Sequence, residues 1–334
     1  MRGFGEGKPL VGWLIAIPLA AEVDSLYSAR LPLIAAGYLG LVTTWLVARR
    51  LAGYRAAAIT GALYVLSPYL FFFQRIATPD TVVAALGMTS VWLALRTYDR
   101  DSIAYGAAAG IVLMLTVLAK SPVGAYFYLP PALLPVFLGA KARLRTRRFL
   151  VSVYLLPGLF LLAAAGLVYL RWSRGLTPVG FGMHEVLAKT GSTTGITAQL
   201  RANLSALAGW IGIFSSWPVA VFLAGGLIAS WRSDRLGVRM VALLVIIWTL
   251  GMAAISSFWP PRYLAPVFPL ALIVAAWALD AFARRLARYA PAGRRSLASN
   301  VIVATCLVVV ALPALRSQAT FISNPPASPM SAGY

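Results

Sequence analysis

The sequence predicts an all-α fold, a polytopic integral membrane helical bundle of about ten transmembrane helices plus an N-terminal interfacial helix. Three observations predict it. Of 334 residues, 60% are hydrophobic and 11% charged, and mean hydropathy is +0.81. A soluble protein carries about a quarter charged residues. So much apolar surface cannot be hidden in one water-soluble core of this size. The apolar residues also fall in continuous runs, whereas a barrel would show short alternating strands. The runs are separated by short Arg-rich loops, the pattern of charge that orients membrane helices. Disorder needs low hydrophobicity and high charge, and the composition excludes it.

The elements follow from runs of about 17–25 apolar residues. Segment 9–21 (PLVGWLIAIPLAA) is too short to span and reads as an interfacial or re-entrant helix on the outer face. Run 28–48 ends at Arg49 and Arg50; 57–74 lies between Arg55 and Arg75. Run 81–98 is opened by Thr78-Pro79-Asp80, and 103–119 is closed by Lys120. Runs 122–140, 149–170 and 206–230 follow; the last two contain no charge. Runs 240–258, 262–283 and 299–316 complete the set, the last holding the single cysteine, Cys306. One thiol makes neither an internal disulfide nor a cysteine metal site. The expected organisation is one membrane domain over 1–316, with 1–27 on the outer face, an outer loop at 171–205 and a flexible tail at 317–334.

Orientation comes from the basic residues. With the loop after 28–48 inside, the inner loops are 49–56, 96–102, 141–148, 231–239 and 284–298, and they hold 18 of the 29 Lys and Arg residues. The formal charge of +20 would suggest nucleic acid in a soluble protein. Here it reads as topology signal and contact with anionic lipid, with no nucleic acid partner. None of the nine acids falls near a bilayer midplane, where coupled transporters place ionisable sites.

Away from the basic loops, polar chemistry gathers on the outer face. Glu6 and Lys8 stand near the N-terminus, Arg75 and Asp80 in QRIATPD, and Lys120 in LAKSPVG. Arg262 and Tyr263 stand in SFWPPRYLAP, and the 35-residue loop 171–205 carries His184 and Glu185. A loop that long between compact spans is a candidate lid. Lysine and arginine hold phosphate as charge-assisted donors, and a carboxylate at the membrane edge serves as a general base. This set suggests a site for a phosphate-linked lipid. Each residue has a duller explanation. Asp80 suits a helix N-terminus, Lys120 and Arg262 suit snorkelling at helix ends, and Tyr263 suits an aromatic belt.

Several segments resemble the GT-C type membrane glycosyltransferases, specifically the dolichyl-phosphate-mannose protein mannosyltransferase and lipid A aminoarabinose transferase-like group. They are GKPLVGWLIAIPLA (7–20), the helix pair 28–68 around an Arg-rich turn, QRIATPDTVVAAL (74–86), LMLTVLAKSPVGAYFYLPPALL (113–134) and PPRYLAPVFPLALIVAAWAL (260–279). The likeness covers roughly residues 5–280 and rests on the order and spacing of the motifs rather than on any one. It implies a GT-C-like bundle that transfers a sugar, with inversion, from a polyprenyl-phosphate donor to a lipid, glycan or protein acceptor. It implies a bacterial plasma membrane, with the site on the extracytoplasmic face. By resemblance, Lys8 and Lys120 lie beside the donor phosphate and Asp80 is the second acidic position of the site. His184 in GMHEVL resembles a histidine that, in some members, joins a carboxylate on a divalent metal ion. Glu6 is a poor match to that carboxylate, because Gly7 separates it from Lys8.

In the family a first span and an acidic outer loop with the principal catalytic Asp precede the segment matched by 7–20. The expectation is therefore an N-terminally incomplete or degenerate chain, with Asp80 as its catalytic carboxylate. The alternative from another class is a lipid-linked sugar flippase or transport protein, which needs a polar path at mid-span. The residues on offer for such a path are Thr43, Thr44, Thr60, Thr89 and Ser90.

Overall fold

Gly53 is where the first long helix turns back, at φ 101°, a left-handed geometry that glycine adopts without strain. Around such breaks the computed structural model describes residues 9–19, 25–75, 78–120, 123–138, 147–174, 196–214, 217–255 and 261–323. All regular elements among the described residues are helical. They are α1 (Pro9–Leu19), α2 (Ser25–Leu51), α3 (Tyr54–Leu66), α4 (Pro68–Arg75), α5 (Pro79–Arg100), α6 (Ile103–Ala119), α7 (Leu129–Phe137), α8 (Arg147–Leu150), α9 (Leu156–Ser173), α10 (Ile196–Phe214), α11 (Trp217–Ser230), α12 (Leu236–Ile255), α13 (Phe268–Leu286) and α14 (Arg295–Ser323).

Two helices form the interior. α5 packs between α2 and α6, burying Val83, Met88, Val91 and Leu95. α13 packs against α3, α11 and α12 and is buried from Pro269 to Asp280 without interruption. α9 and α14 lie on the outside of the bundle, with Leu162, Tyr169, Leu312 and Leu315 exposed. Glycine permits the closest crossing between α6 and α9's side of the bundle. A Cβ at Gly106 would strike the carbonyl of Ser152 in the π-helical turn Val151–Leu155 that joins α8 to α9.

The expected count of about ten transmembrane helices is corrected. Among the described residues four stretches are long and apolar enough to cross a membrane: Arg30–Leu51, Arg147–Leu167, Leu236–Ala254 and Ala292–Arg316. A fifth is reached if the bent pair Tyr54–Leu66 and Pro68–Gln74 is one span. The multi-pass helical membrane bundle itself stands. One reason for the lower count is backbone continuity; α5, unbroken over 22 residues, is instead not apolar enough to count. Ser67 is extended, as the residue before a proline prefers, so run 57–74 bends by 58° between α3 and α4. Run 122–140 becomes a 3₁₀ turn (Val123–Tyr128) followed by the nine-residue α7, which carries Pro130, Pro131 and Pro135. Ile103–Ala119 and Trp217–Ser230 are apolar but short.

At the N-terminal end, α1 has 11 residues, about 16 Å of rise. It packs on α2 and α6 through Val11 and Ile15, with Trp13 turned outward. At the other end α14 continues to Ser323, past the residue 316 at which the membrane domain was expected to stop.

Helix reversals sort the loops into two ends. Arg50 pairs with Asp99, Arg55 with Asp280, and Arg235 donates to the carbonyl of Ala52. Tyr98 reaches Leu138 and Phe149. The described parts of all five Arg-rich loops therefore share one end of the bundle. The starts of α5 and α13 and the end of α6 share the other.

Candidate functional site

The site is assembled at that second end by helix termini. Ser67 accepts a hydrogen bond from the Leu70 amide through its Oγ, 3.2 Å, and caps α4. α4 is tied to the next helix where Thr81 Oγ1 donates to the Phe73 carbonyl, 3.2 Å. Pro79 fits the first position of α5, where its missing N–H costs nothing. Asp80 follows in the first helical turn, where the helix dipole favours a carboxylate. Lys120 stands immediately after α6, at the end that favours a cation. Gly124 then folds the chain back so tightly that its missing side chain faces the Thr116 carbonyl.

These termini meet. Lys120 Nζ lies 2.5 Å from Asp80 Oδ1, and Asp80 is only 1% exposed. The Lys120 ammonium also sits 4.4 Å from the ring centroid of Tyr263, and Arg262 lies 5.7 Å from the same ring. Burial pushes the Lys120 ammonium below its ordinary pKa; the charge and hydrogen bond of Asp80 pull it back up, and Arg262 adds to the lowering. The second carboxylate oxygen, Asp80 Oδ2, is buried and has no hydrogen-bond partner among the described residues. Such an oxygen is costly to leave unsatisfied and is open to a donor that arrives with a ligand.

Arg262 and Tyr263 belong to the 3₁₀ turn Pro261–Leu264. Tyr69, itself buried, donates its hydroxyl to the Pro261 carbonyl at 2.9 Å and stacks on Phe268 at 4.5 Å. Trp248 Nε1 donates to the Tyr263 carbonyl at 2.9 Å. The turn is thus held from both sides. It also forms the rim of a cavity of about 440 Å³ among α10, α11, α12 and α13. The walls are almost wholly apolar, with Trp210, Leu223, Leu250, Leu264 and Phe268 among them. A compact cation cluster and an apolar hollow therefore share one four-residue turn.

Of the residues expected from sequence, the structure brings Asp80, Lys120, Arg262 and Tyr263 together. Arg75 ends α4, and its side chain lies outside the described part. Lys8, Glu6, His184 and Glu185 lie outside the described residues. Among the described residues no three His, Cys, Asp or Glu side chains come together as a metal site. Sequence reasoning missed Tyr69 and Trp248, which hold the turn without bearing charge. Tyr69 hides in the aromatic run PYLFFF, and Trp248 in an apolar helix; nothing in their neighbourhoods marks them as supports.

Comparison with known proteins gives a consistent picture. The family model described as dolichyl-phosphate-mannose-protein mannosyltransferase matches residues 6–172. Comparison by sequence with curated proteins gives no match. Among solved structures, ArnT from Cupriavidus metallidurans bound to undecaprenyl phosphate aligns with a TM-score of 0.61 at 19% identity. That alignment covers 95% of this chain and 66% of that one. The Archaeoglobus fulgidus oligosaccharyltransferase, in complex with Zn and sulfate, aligns with a TM-score of 0.60 at 16% identity, covering 93% of this chain and 44% of that one. This chain thus spans less than two thirds of the length of these structures. At such identities the likeness is one of fold. With the family model matching half of the chain, the protein belongs to the dolichyl-phosphate-mannose-protein mannosyltransferase family.

Proposed function

We propose that the protein is a membrane glycosyltransferase that moves a sugar, with inversion, from a polyprenyl-phosphate donor to a hydroxyl, amine or phosphate acceptor. The observation that carries this reading is the shared turn: Arg262 and Tyr263 stand beside Lys120 while their neighbours Pro261 and Leu264 line the apolar cavity. A polyprenyl-phosphate sugar has that division of chemistry, an anionic phosphate head on a hydrocarbon tail. Family membership supports the reading, as does a fold like that of an ArnT that binds undecaprenyl phosphate.

In the reaction the acceptor oxygen or nitrogen attacks the anomeric carbon as the bond from that carbon to the lipid phosphate oxygen breaks. The lipid phosphate leaves with the electron pair. Charge grows on the phosphate, so fixed cations aimed at it lower the barrier. Lys120 and Arg262 supply them, and Lys8 joins them in the proposal. Asp80 holds Lys120 through Oδ1, which leaves Oδ2 to accept a proton or a hydrogen bond from the acceptor. The bundle end opposite the Arg-rich loops would face the extracytoplasmic side of a bacterial inner membrane, following the positive-inside rule.

The test is direct. The full chain, reconstituted in vesicles with a labelled polyprenyl-phosphate sugar and a mixture of acceptors, should release polyprenyl phosphate and label an acceptor. Label that crosses the bilayer with no transfer product would instead mark a flippase, and the reading would be abandoned.

A further inference from the structure

We infer that the basic end of the bundle carries a binding site for an anionic phospholipid, with the phosphate seated between Arg49 and Arg96 and an acyl chain laid in the groove between α2 and α3. The site lies at the far end from the Asp80–Lys120 cluster and does not depend on the reaction assigned there.

The head-group half is a cavity of about 270 Å³ between α2 and α5, lined by Leu46, Arg49, Arg50, Trp92, Arg96 and Asp99. Three arginines face one carboxylate. Arg50 takes that carboxylate alone, with Nε and Nη2 at 2.7–3.1 Å from the two oxygens of Asp99. Arg49 and Arg96 are held differently. Arg49 stands 5.5 Å from the ring of Trp45, and Arg96 stands 5.6 Å from the ring of Trp92. Neither has an ion pair among the described residues. An aromatic face steadies a guanidinium but does not neutralise it, and the planar fork of N–H donors stays available to a phosphate.

The acyl half begins at the same tryptophan. Trp45 lines a second hollow of about 570 Å³, with Tyr38 and Leu41 of α2 on one side and Gly61 and Val65 of α3 on the other. Its walls are apolar, and Tyr38 and Val65 are 69% and 62% exposed, as residues that meet lipid are. From residue 38 to residue 49, α2 rises about 16 Å, so the groove leads from bilayer depth to the Arg49 guanidinium. Gly61 keeps it open: a side chain there would begin 3.6 Å from the Trp45 ring. A soluble anion would use the cationic half and leave the groove empty. A zwitterionic lipid would use the groove, with its own cation set against the surplus arginines. Charge and shape together fit a lipid with a net negative head group, at the end of a bundle where basic pockets meet the leaflet surface.

The full chain purified in detergent is titrated with phosphatidylglycerol, with phosphatidylcholine of the same acyl chains, and with glycerol phosphate, and bound species are counted by native mass spectrometry. Phosphatidylglycerol should bind in preference to both. The double variant Arg49→Gln/Arg96→Gln should weaken it about thirtyfold, the value of two basic residues near an anionic phosphate. Gly61→Leu fills the groove without touching the arginines. It should weaken phosphatidylglycerol while leaving glycerol phosphate binding unchanged, and it carries the test if the double variant does not fold. Equal binding of the two lipids, or wild-type phosphatidylglycerol binding in Gly61→Leu, would overturn the site. Glycerol phosphate binding as tightly as the lipid would reduce it to a small-anion pocket and overturn it too.

Discussion

The two ends of the bundle treat buried carboxylates in opposite ways. At the basic end Asp280, 1% exposed, is flanked by two cations: Arg55 Nε at 3.2 Å and Arg284 Nη2 at 2.9 Å. Arg55 also donates to Ser299 Oγ at 2.7 Å and so ties α3 to α13 and α14. At the other end Asp80, equally buried, has the ammonium of Lys120 on one oxygen and no partner among the described residues on the other. The first arrangement sets a cation against each oxygen, with each arginine partly in water, although Arg55 meets Oδ1 as an ion pair and not as a hydrogen bond. The second is open, beside a cavity with apolar walls. A polar cluster built only for stability has no reason to leave an oxygen facing neither a donor nor a cation, since a half-satisfied buried network is worse than an apolar one. The contrast separates scaffold from site more clearly than charge density does, because most of the charge lies at the scaffold end.

Substitutions can break or sharpen this contrast. The largest effect is expected at Lys120→Ala, which should lower sugar transfer about a hundredfold or more, as loss of one donor to a developing anion does. Loss of the ammonium also strands Asp80, so transfer is to be compared with Lys120→Ala/Asp80→Asn. Near-wild-type transfer in the double variant would place the pair with the scaffold. In Leu223→Trp a bulky ring enters the apolar cavity. KM for the polyprenyl donor should rise about tenfold with kcat little changed, the mark of lost uniform binding; a pure kcat loss would count against a tail site. Asp280→Asn leaves Arg55 and Arg284 facing each other. It should cost about 1–2 kcal/mol in thermal unfolding, well below the loss for a fully buried charge because both arginines reach water, and activity per folded molecule should stay at the wild-type level. The smallest effect belongs to Arg50→Ala. Its pair with Asp99 is surface-exposed and worth at most about 1 kcal/mol, so a transfer defect there would blur the division between the ends.

Much of the site was legible in the sequence. Asp80 and Lys120 each carry a charge at the boundary of an apolar run, and alternation of direction puts the start of one run and the end of the next at the same face. That argument needs only parity, and the observed pairing obeys it. The number of spans was not legible in the same way. Hydropathy adds up residues and is blind to whether the backbone runs straight through them. Ser67-Pro68 breaks a run that reads as continuous, and the prolines of 130–135 shorten another. The interior helices depart from expectation for a different reason: runs 81–98 and 262–283 read as spans, but neither α5 nor α13 is apolar enough to count as one. α5 carries buried Thr81, Ser90 and Thr97, each donating to a nearby backbone carbonyl. A helix wrapped by protein is free to be less apolar than one wrapped by lipid. Tyr69 and Trp248 stayed hidden because their part is to hold a carbonyl in place, which no sequence pattern records.

The Pro261–Leu264 turn belongs to the apolar hollow through two of its residues and to the charged cluster through the other two. Occupancy of the one and alignment of the other are therefore thermodynamically linked. Whatever fills the hollow stiffens the segment that carries the guanidinium and the phenol ring, and whatever neutralises those groups steadies one wall of the hollow. Affinity measured with a tail-less analogue and affinity measured with a head-less hydrocarbon should not sum to that of the intact molecule. The surplus would be the free energy of ordering four residues once instead of twice.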